Sequence, residues 1–167
     1  MNTLNDRVRS WHECLYKLLP DSSSTSPRLR KRFKAGQEVH GVIEGMFPWA
    51  ANERRGRYVD ETLPFTIDYH PDIWDRAGSR VWEIKPVGWF FTHYEYCVAQ
   101  LSGYMHFTRA SLAGFMLYRL RRWDGGRMMT VDDIEGPWPY VPPTFNSWEF
   151  LRKVAMESDT MLLMQGR

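Results

Sequence analysis

The chain has 167 residues, of which 43% are hydrophobic and 25% charged, and its formal net charge is only +2. These values are typical of a soluble globular protein with one sizeable core, and the charge alone indicates no particular partner. The sequence has no apolar run of transmembrane length and opens on the polar stretch MNTLNDRVRSW, so we expect neither a membrane span nor a secretory signal. Two cysteines, Cys14 and Cys97, are too few for a disulfide framework or a four-thiolate metal site, and they predict a reduced, cytoplasmic setting.

The first third of the sequence predicts two helices. Apolar residues recur every three or four positions over 4–19, which is typical of an amphipathic helix. A Ser-rich connector over 20–27 follows. A second helix is predicted over 27–46, with a proline in its first turn and with Gly36 as a weak point that could split it. Residues 48–56 then predict a loop.

The middle of the sequence predicts strands. Residues 58–67 predict a strand that Pro64 could interrupt, and 69–74 continue or restart it. Asp and Gly within 75–79 favour a turn, after which 80–85 predict a short strand. The later predicted elements are a helix over 93–107 capped by Thr92, strands over 112–120 and 127–134, an irregular Pro-rich segment over 136–143, and a helix from Asn146 or Ser147 to Met164. This order of elements predicts an α/β fold with a mixed sheet and helices on its faces.

Two acids and a lysine lie close together in HPDIWDRAGSRVWEIKP, residues 70–86. Side chains alternate between the two faces of a strand, so Glu83 and Lys85 share one face, and the turn brings Asp72 back towards Glu83. Two converging carboxylates repel each other unless a cation lies between them, and such oxygen ligands suit Mg²⁺. A neighbouring lysine can orient the attacking water or stabilise negative charge at phosphorus. The pattern indicates a metal-dependent phosphodiesterase, although a surface hairpin with a simple Lys–Glu pair has the same pattern.

The spacing of these residues resembles the signature of a nuclease superfamily. Asp72 follows a proline, ten residues separate it from Glu83, and Lys85 comes two positions later. This pattern is similar to that of the PD-(D/E)xK nuclease superfamily, and the apolar run and final proline of VWEIKP resemble its RecB-like branch. Asp68 also precedes Glu83, by fifteen positions, and remains an alternative to Asp72.

Three further residues match the RecB-like branch in the same order along the chain. The branch has a histidine on a helix before the signature, where GQEVHGVIEG offers His40. It has a helix with Gln-x-x-x-Tyr after the lysine, where AQLSGYM offers Gln100 and Tyr104. The similarity therefore covers residues 36–104, the middle of the chain.

The resemblance implies a restriction-endonuclease-like core, in which a central mixed sheet is flanked by helices. It implies one nuclease domain with its catalytic core over 27–135, between an N-terminal helix and connector over 1–26 and a Pro-rich loop and C-terminal helix over 136–167. It also implies a Mg²⁺ or Mn²⁺ ion and an attacking water positioned by Lys85. The implied metal ligands are His40, Asp72, Glu83 and the carbonyl of Ile84.

The implied substrate is DNA, single- or double-stranded. Gln100 and Tyr104 share one face of their predicted helix, where the resemblance implies that they contact the strand. Arg30 and Arg32 belong to the basic stretch RLRKRFK, which suits contact with phosphates.

Several alternatives within and beyond this class stay open on sequence alone. The region after Cys97 has no cysteine, unlike the iron–sulfur members of the branch, including the CRISPR adaptation nucleases, so no iron–sulfur cluster is expected. The residues fit a small phage or mobile-element nuclease, and equally a toxin or defence effector that cuts nucleic acid. A non-catalytic nucleic-acid-binding module would be expected to lose one of Asp72, Glu83 and Lys85. No residue decides DNA against RNA, ends against internal sites, or the oligomeric state.

Overall fold

The computed structural model describes residues 7–20, 27–47, 55–119, 134–140 and 146–167, with the backbone alone for 27–35. The described strands are β1 (Val8–Ser10), β2 (Gly56–Tyr58), β3 (Thr66–Tyr69), β4 (Ile73–Asp75), β5 (Arg80–Pro86), β6 (Leu112–Tyr118) and β7 (Ile134–Tyr140). The described helices are α1 (Trp11–Cys14), α2 (Pro27–Gly45), α3 (Val87–Thr92), α4 (Tyr94–Thr108) and α5 (Trp148–Met164), with a 3₁₀ turn at Tyr16–Leu18. None of the described helices combines the length and apolar composition that a membrane crossing needs.

The strands form two mixed sheets. One has the order β4-β5-β6-β7, in which β5 and β6 run parallel and both edge strands run antiparallel to their neighbours. The other has the order β1-β3-β2, with β1 parallel and β2 antiparallel to β3. The predicted α/β class, a mixed sheet flanked by helices, is confirmed, and its strands are divided between two sheets.

Strand β5 lies inside the four-stranded sheet and contributes to a different hydrophobic cluster on each of its faces. Val81 belongs to the larger cluster, which includes Leu101 of α4. Trp82 and Ile84 belong to the smaller cluster, which includes Ile43 of α2. The predicted alternation along β5 is confirmed, because these residues separate as a period of two requires. The two charged residues that alternate with Val81 therefore lie on the α4 side of the sheet.

The helix predicted over 4–19 is wrong for its first described residues. Val8–Ser10 form β1, which pairs in parallel with Thr66–Asp68 of β3. Helix α1 starts only after Ser10, whose hydroxyl accepts from the Glu13 backbone at 3.2 Å while the Glu13 carboxylate accepts from the Ser10 backbone at 2.8 Å. This reciprocal capping fixes the start of the helix. A long-range strand pairing thus overrides the local helical periodicity.

The strand predicted over 58–67 is interrupted, because a turn separates β2 from β3. The Asp60 carboxylate accepts from the Thr62 backbone at 2.8 Å and from the Thr62 hydroxyl at 2.5 Å. Such local side-chain bonds compete with the pairing of strands. The segment 69–74 restarts as β4 in the other sheet and does not continue β3.

Two prolines lie inside a strand, contrary to the irregular segment predicted over 136–143. Pro137 and Pro139 belong to β7, which pairs with β6 alone among the described strands. An edge strand tolerates proline, because the missing N–H group need not reach a second neighbour. The prediction is therefore wrong for 136–140. Four other predicted segments lie wholly or partly outside the described residues. They are most of the strand predicted over 127–134, the end of the strand predicted over 112–120, residues 48–54 of the predicted loop and residues 21–26 of the predicted connector.

Helices α2 and α5 follow the sequence predictions. Gly36 does not interrupt α2. A Cβ atom at Gly36 would lie 3.2 Å from the Tyr118 hydroxyl, so the glycine permits a close approach of α2 to β6. Helix α5 begins after Ser147, whose hydroxyl accepts from the Phe150 backbone at 3.3 Å and caps the helix.

The helix predicted over 93–107 is confirmed as α4, but its predicted cap is wrong. Thr92 ends the preceding helix α3, and its hydroxyl donates to the Gly88 carbonyl at 2.8 Å. His93 is the residue at the start of α4, and its side chain makes no capping hydrogen bond. The threonine hydroxyl thus bonds back to a carbonyl of its own helix and does not cap the next one.

Replacing Gly103 of α4 by alanine is expected to lower the free energy of unfolding by about 1–3 kcal/mol, as overpacking a core does. The new methyl group would overlap the indole of the buried Trp11. Gly41 of α2 is the matched control, because its Cβ would meet nothing within 4 Å. Gly41→Ala should raise stability by up to about 1 kcal/mol through helix propensity. Urea unfolding of both variants checks the pair, and shifts of the same sign would contradict it.

Candidate metal centre

The β4–β5 hairpin brings the two predicted acids together. Ile73 pairs with Trp82 across the hairpin, which places Asp72 beside Glu83. The Asp72 carboxylate accepts from the Ile84 backbone at 2.8 Å. The Asp72 backbone N–H lies 3.5 Å from a Glu83 carboxylate oxygen. The two carboxylates therefore meet at one end of the hairpin, as the sequence spacing predicts.

Helix α2 adds a histidine to this group. His40 Nδ1 lies 3.2 Å from a carboxylate oxygen of Asp72. Burial acts to lower the pKa of His40, but the hydrogen bond and the negative charge of Asp72 outweigh it and raise the pKa above its usual value. Burial likewise acts to raise the pKa of Asp72, but the hydrogen bond and charge of His40 and the charge of Lys85 lower it. Each of the two groups thus stabilises the charged form of the other.

Glu83 and Lys85 form a buried ion pair, in which Lys85 Nζ donates to Glu83 Oε1 at 2.9 Å. Burial and the negative charge of Asp72 raise the pKa of Glu83 to about 8. Burial acts to lower the pKa of Lys85, but the charges of Glu83 and Asp72 outweigh it and raise the pKa. A cation between Asp72 and Glu83 would relieve the repulsion that raises the pKa of Glu83. The donor set therefore fits a divalent ion.

The sequence analysis missed a further acid at this place. Glu44 follows His40 by one turn of α2, and one ligand atom from each of His40, Glu44 and Asp72 lies within 4.8 Å of the others. Mn²⁺ binds both imidazole nitrogens and carboxylate oxygens, whereas Mg²⁺ prefers the oxygens. The His-x-x-x-Glu spacing in HGVIE places both side chains on one helix face and could have indicated Glu44. Asp72 is shared between this group and the Glu83–Lys85 pair.

Gln100 and Tyr104 lie one turn apart on α4, behind the centre. Both are fully buried, and Gln100 Nε2 donates to the Tyr104 hydroxyl at 3.3 Å. Burial, and to a lesser extent the charge of Glu83, raise the pKa of Tyr104 well above its usual value. A nucleic-acid strand can contact these two side chains only where they are accessible, and in this structure both are buried. Their role in binding substrate stays a prediction.

The remaining predicted residues are Arg30, Arg32 and the alternative acid Asp68. Arg30 and Arg32 belong to α2, but their side chains lie outside the described part of the chain. Asp68, the alternative to Asp72, lies on β3 and pairs with Arg57 at 3.0 Å. Asp72 rather than Asp68 is therefore the acid that the structure places at the candidate centre.

Comparisons with known proteins support the fold at low sequence identity. No protein-family model matches the chain, and no curated protein sequence matches it. The crystal structure of the protein SSO0001 is similar with a TM-score of 0.61 and 16% identity, over 94% of this chain and 77% of that one. A phage-related exonuclease from Haemophilus somnus 129PT is similar with a TM-score of 0.52 and 11% identity, over 93% of this chain and 81% of that one. The chain therefore shares its α/β fold with a nuclease, which is consistent with a restriction-endonuclease-like core.

Proposed function

We propose that this protein is a metal-dependent nuclease that hydrolyses phosphodiester bonds in DNA, within the RecB-like branch of the PD-(D/E)xK superfamily. The observation that carries the proposal is the convergence of Asp72, Glu83 and Lys85 on one hairpin, with His40 against Asp72. The fold shared with a phage-related exonuclease supports this class and favours cleavage from DNA ends.

The proposed ligand set for a Mg²⁺ or Mn²⁺ ion starts from His40, Glu44 and Asp72, whose ligand atoms lie within 4.8 Å of one another. The resemblance adds Glu83 and the Ile84 carbonyl. A divalent ion bound there supplies Lewis-acid polarisation of a phosphate oxygen and an activated water. The parts come from three elements: α2, the segment before β4, and β5. The chain therefore assembles the site by folding, and no single segment carries it.

Lys85 positions the attacking water and stabilises the negative charge that develops on the phosphate. Its ion pair with Glu83 fixes Nζ beside the carboxylates, and their charges raise its pKa. The indole of Trp89 lies 5.4 Å from Nζ and covers another side of the ammonium group. A lysine held protonated in this way acts as a charge-stabilising donor and not as a proton acceptor.

The proposal is tested by incubating the protein with end-labelled linear, circular and single-stranded DNA in Mg²⁺, Mn²⁺ or EDTA. Cleavage is expected with either ion and not in EDTA. An exonuclease would degrade the linear forms and spare the circle. Equal cleavage in EDTA, or no cleavage of any form with either ion, would overturn the assignment.

Replacing His40 by alanine is expected to weaken Mn²⁺ binding by about tenfold or more, and Mg²⁺ binding by less. The reason is that a nitrogen ligand favours Mn²⁺ over Mg²⁺. Glu44→Gln should weaken the binding of both ions. Calorimetric titration with each metal checks both variants. Glu38→Gln is the matched control, because Glu38 lies exposed on the same helix, and an equal loss in that variant would contradict the ligand set.

A further inference from the structure

A histidine and a tyrosine that the proposed metal centre does not use lie beside it. His12 is exposed on α1, and Tyr96 is buried on α4. His12 Nδ1 lies 2.5 Å from the Tyr96 hydroxyl, and the two rings are stacked at 6.3 Å with an angle of 21° between their planes. The hydrogen bond joins residues 84 positions apart in the sequence.

An aromatic contact connects this pair to the catalytic lysine. The indole of Trp89 lies 5.4 Å from Lys85 Nζ and 5.6 Å from the Tyr96 ring. Burial lowers the pKa of His12 to about 4, and after burial the charges that act on it most are those of Lys85 and Asp72. The side chain of His12 is thus exposed to solvent and still lies within electrostatic reach of Lys85 and Asp72.

The Tyr96 hydroxyl determines which imidazole nitrogen can serve a ligand. A neutral histidine carries its proton on one ring nitrogen, and a donor at Nδ1 puts that proton on Nε2. We propose that Tyr96 donates to His12 Nδ1, and that His12 Nε2–H donates to a phosphate oxygen of the bound DNA next to the phosphate at the metal centre. His12 is then a substrate-binding residue and Tyr96 a positioning residue.

The inference rests on the proposed nuclease function, because it needs a nucleic-acid strand at the metal centre. Phosphate contacts of this kind fix the register of a strand without reading its sequence. The competing interpretation is structural: the bond between His12 and Tyr96 only ties α1 to α4. The two interpretations differ at Nε2. The DNA contact needs the Nε2–H group, whereas the bond between α1 and α4 uses only Nδ1.

Two substitutions of His12 separate these interpretations. A glutamine amide can occupy the place of Nε2, whereas an asparagine amide occupies the place of Nδ1. DNA affinity is measured by fluorescence anisotropy in Ca²⁺, with gels to confirm that the DNA stays intact. His12→Asn is expected to raise Kd by about tenfold, the effect of one lost hydrogen bond to a charged group. His12→Gln should stay within about twofold of wild type, and Tyr96→Phe should raise Kd by a few fold.

A wild-type measurement keeps the inference testable even where a variant fails to fold. The ¹⁵N resonance of His12 Nε2 should shift when a DNA oligonucleotide is added, and that of His106, which is exposed near the far end of α4, should shift less. An unchanged Nε2 resonance, or equal affinities of the Asn and Gln variants, would overturn the inference. Failure of the nuclease proposal is distinguishable, because a protein that binds DNA through His12 without cleaving it loses only the enzymatic assignment.

Discussion

Replacing Glu83 by glutamine is expected to remove most metal-dependent cleavage while leaving the fold intact. Glutamine has nearly the same shape, so the buried position stays filled, but the charge that binds a cation and pairs with Lys85 is lost. Removing one group that stabilises charge in a transition state costs about 10²–10³-fold in rate. Initial cleavage rates in Mn²⁺, with circular dichroism to confirm folding, measure the effect.

Two further variants show whether the loss belongs to this site. Lys85→Ala should lower the rate while largely sparing metal binding, because Lys85 is not a ligand. Asp68→Asn should keep the wild-type rate, since Asp68 pairs with Arg57 on the other sheet. Full activity in Glu83→Gln would contradict the nuclease assignment, and loss of activity in Asp68→Asn would contradict the choice of Asp72 as the metal-binding acid.

Replacing Asp159 by alanine is expected to lower the free energy of unfolding by about 3–5 kcal/mol, the usual cost of removing one partner of a buried ion pair. Asp159 of α5 is buried and accepts from Arg9 at 2.8 Å and from Arg7 at 2.5 Å. Arg9 is itself buried and also donates to the Arg167 carbonyl at 3.0 Å. The substitution would remove the closer of the two acidic partners of the buried Arg9 guanidinium, leaving it with Glu13 at 3.4 Å.

A surface pair on the same helix is the matched control. Glu157 of α5 pairs with Lys17, and both side chains are exposed. An exposed ion pair contributes little to stability. Urea unfolding should therefore separate Asp159→Ala clearly from Glu157→Ala. Equal losses in the two variants would contradict the structural role assigned to the buried network.

The parts of the site that are local in sequence could be predicted. The turn after β4 and the period of two along β5 bring Asp72, Glu83 and Lys85 together by short-range rules. The position of His40 on a helix could likewise be predicted, and Glu44 lies four positions later, on the same face of that helix. These features depend on residues no more than thirteen positions apart.

The parts that depend on distant contacts could not be predicted. Val8–Ser10 looks helical by periodicity, but it pairs with Thr66–Asp68, which lies far along the chain. The burial of Gln100 and Tyr104 depends on packing. Their spacing indicates a shared helix face, but only the fold shows that this face is buried. Prolines in β7 are tolerated because the strand is at an edge, and edge position is a property of the whole sheet.

The central claim is that folding gathers a divalent-metal site around Asp72. The most direct measurement is anomalous scattering from a crystal of the wild-type protein soaked in Mn²⁺. We expect one strong peak within coordination distance of His40 and of the carboxylates of Asp72 and Glu83, and no peak there in Glu83→Gln at the same Mn²⁺ concentration. A wild-type crystal with no peak at these residues, or with its peak elsewhere, would show that the chain forms no divalent-metal site around Asp72.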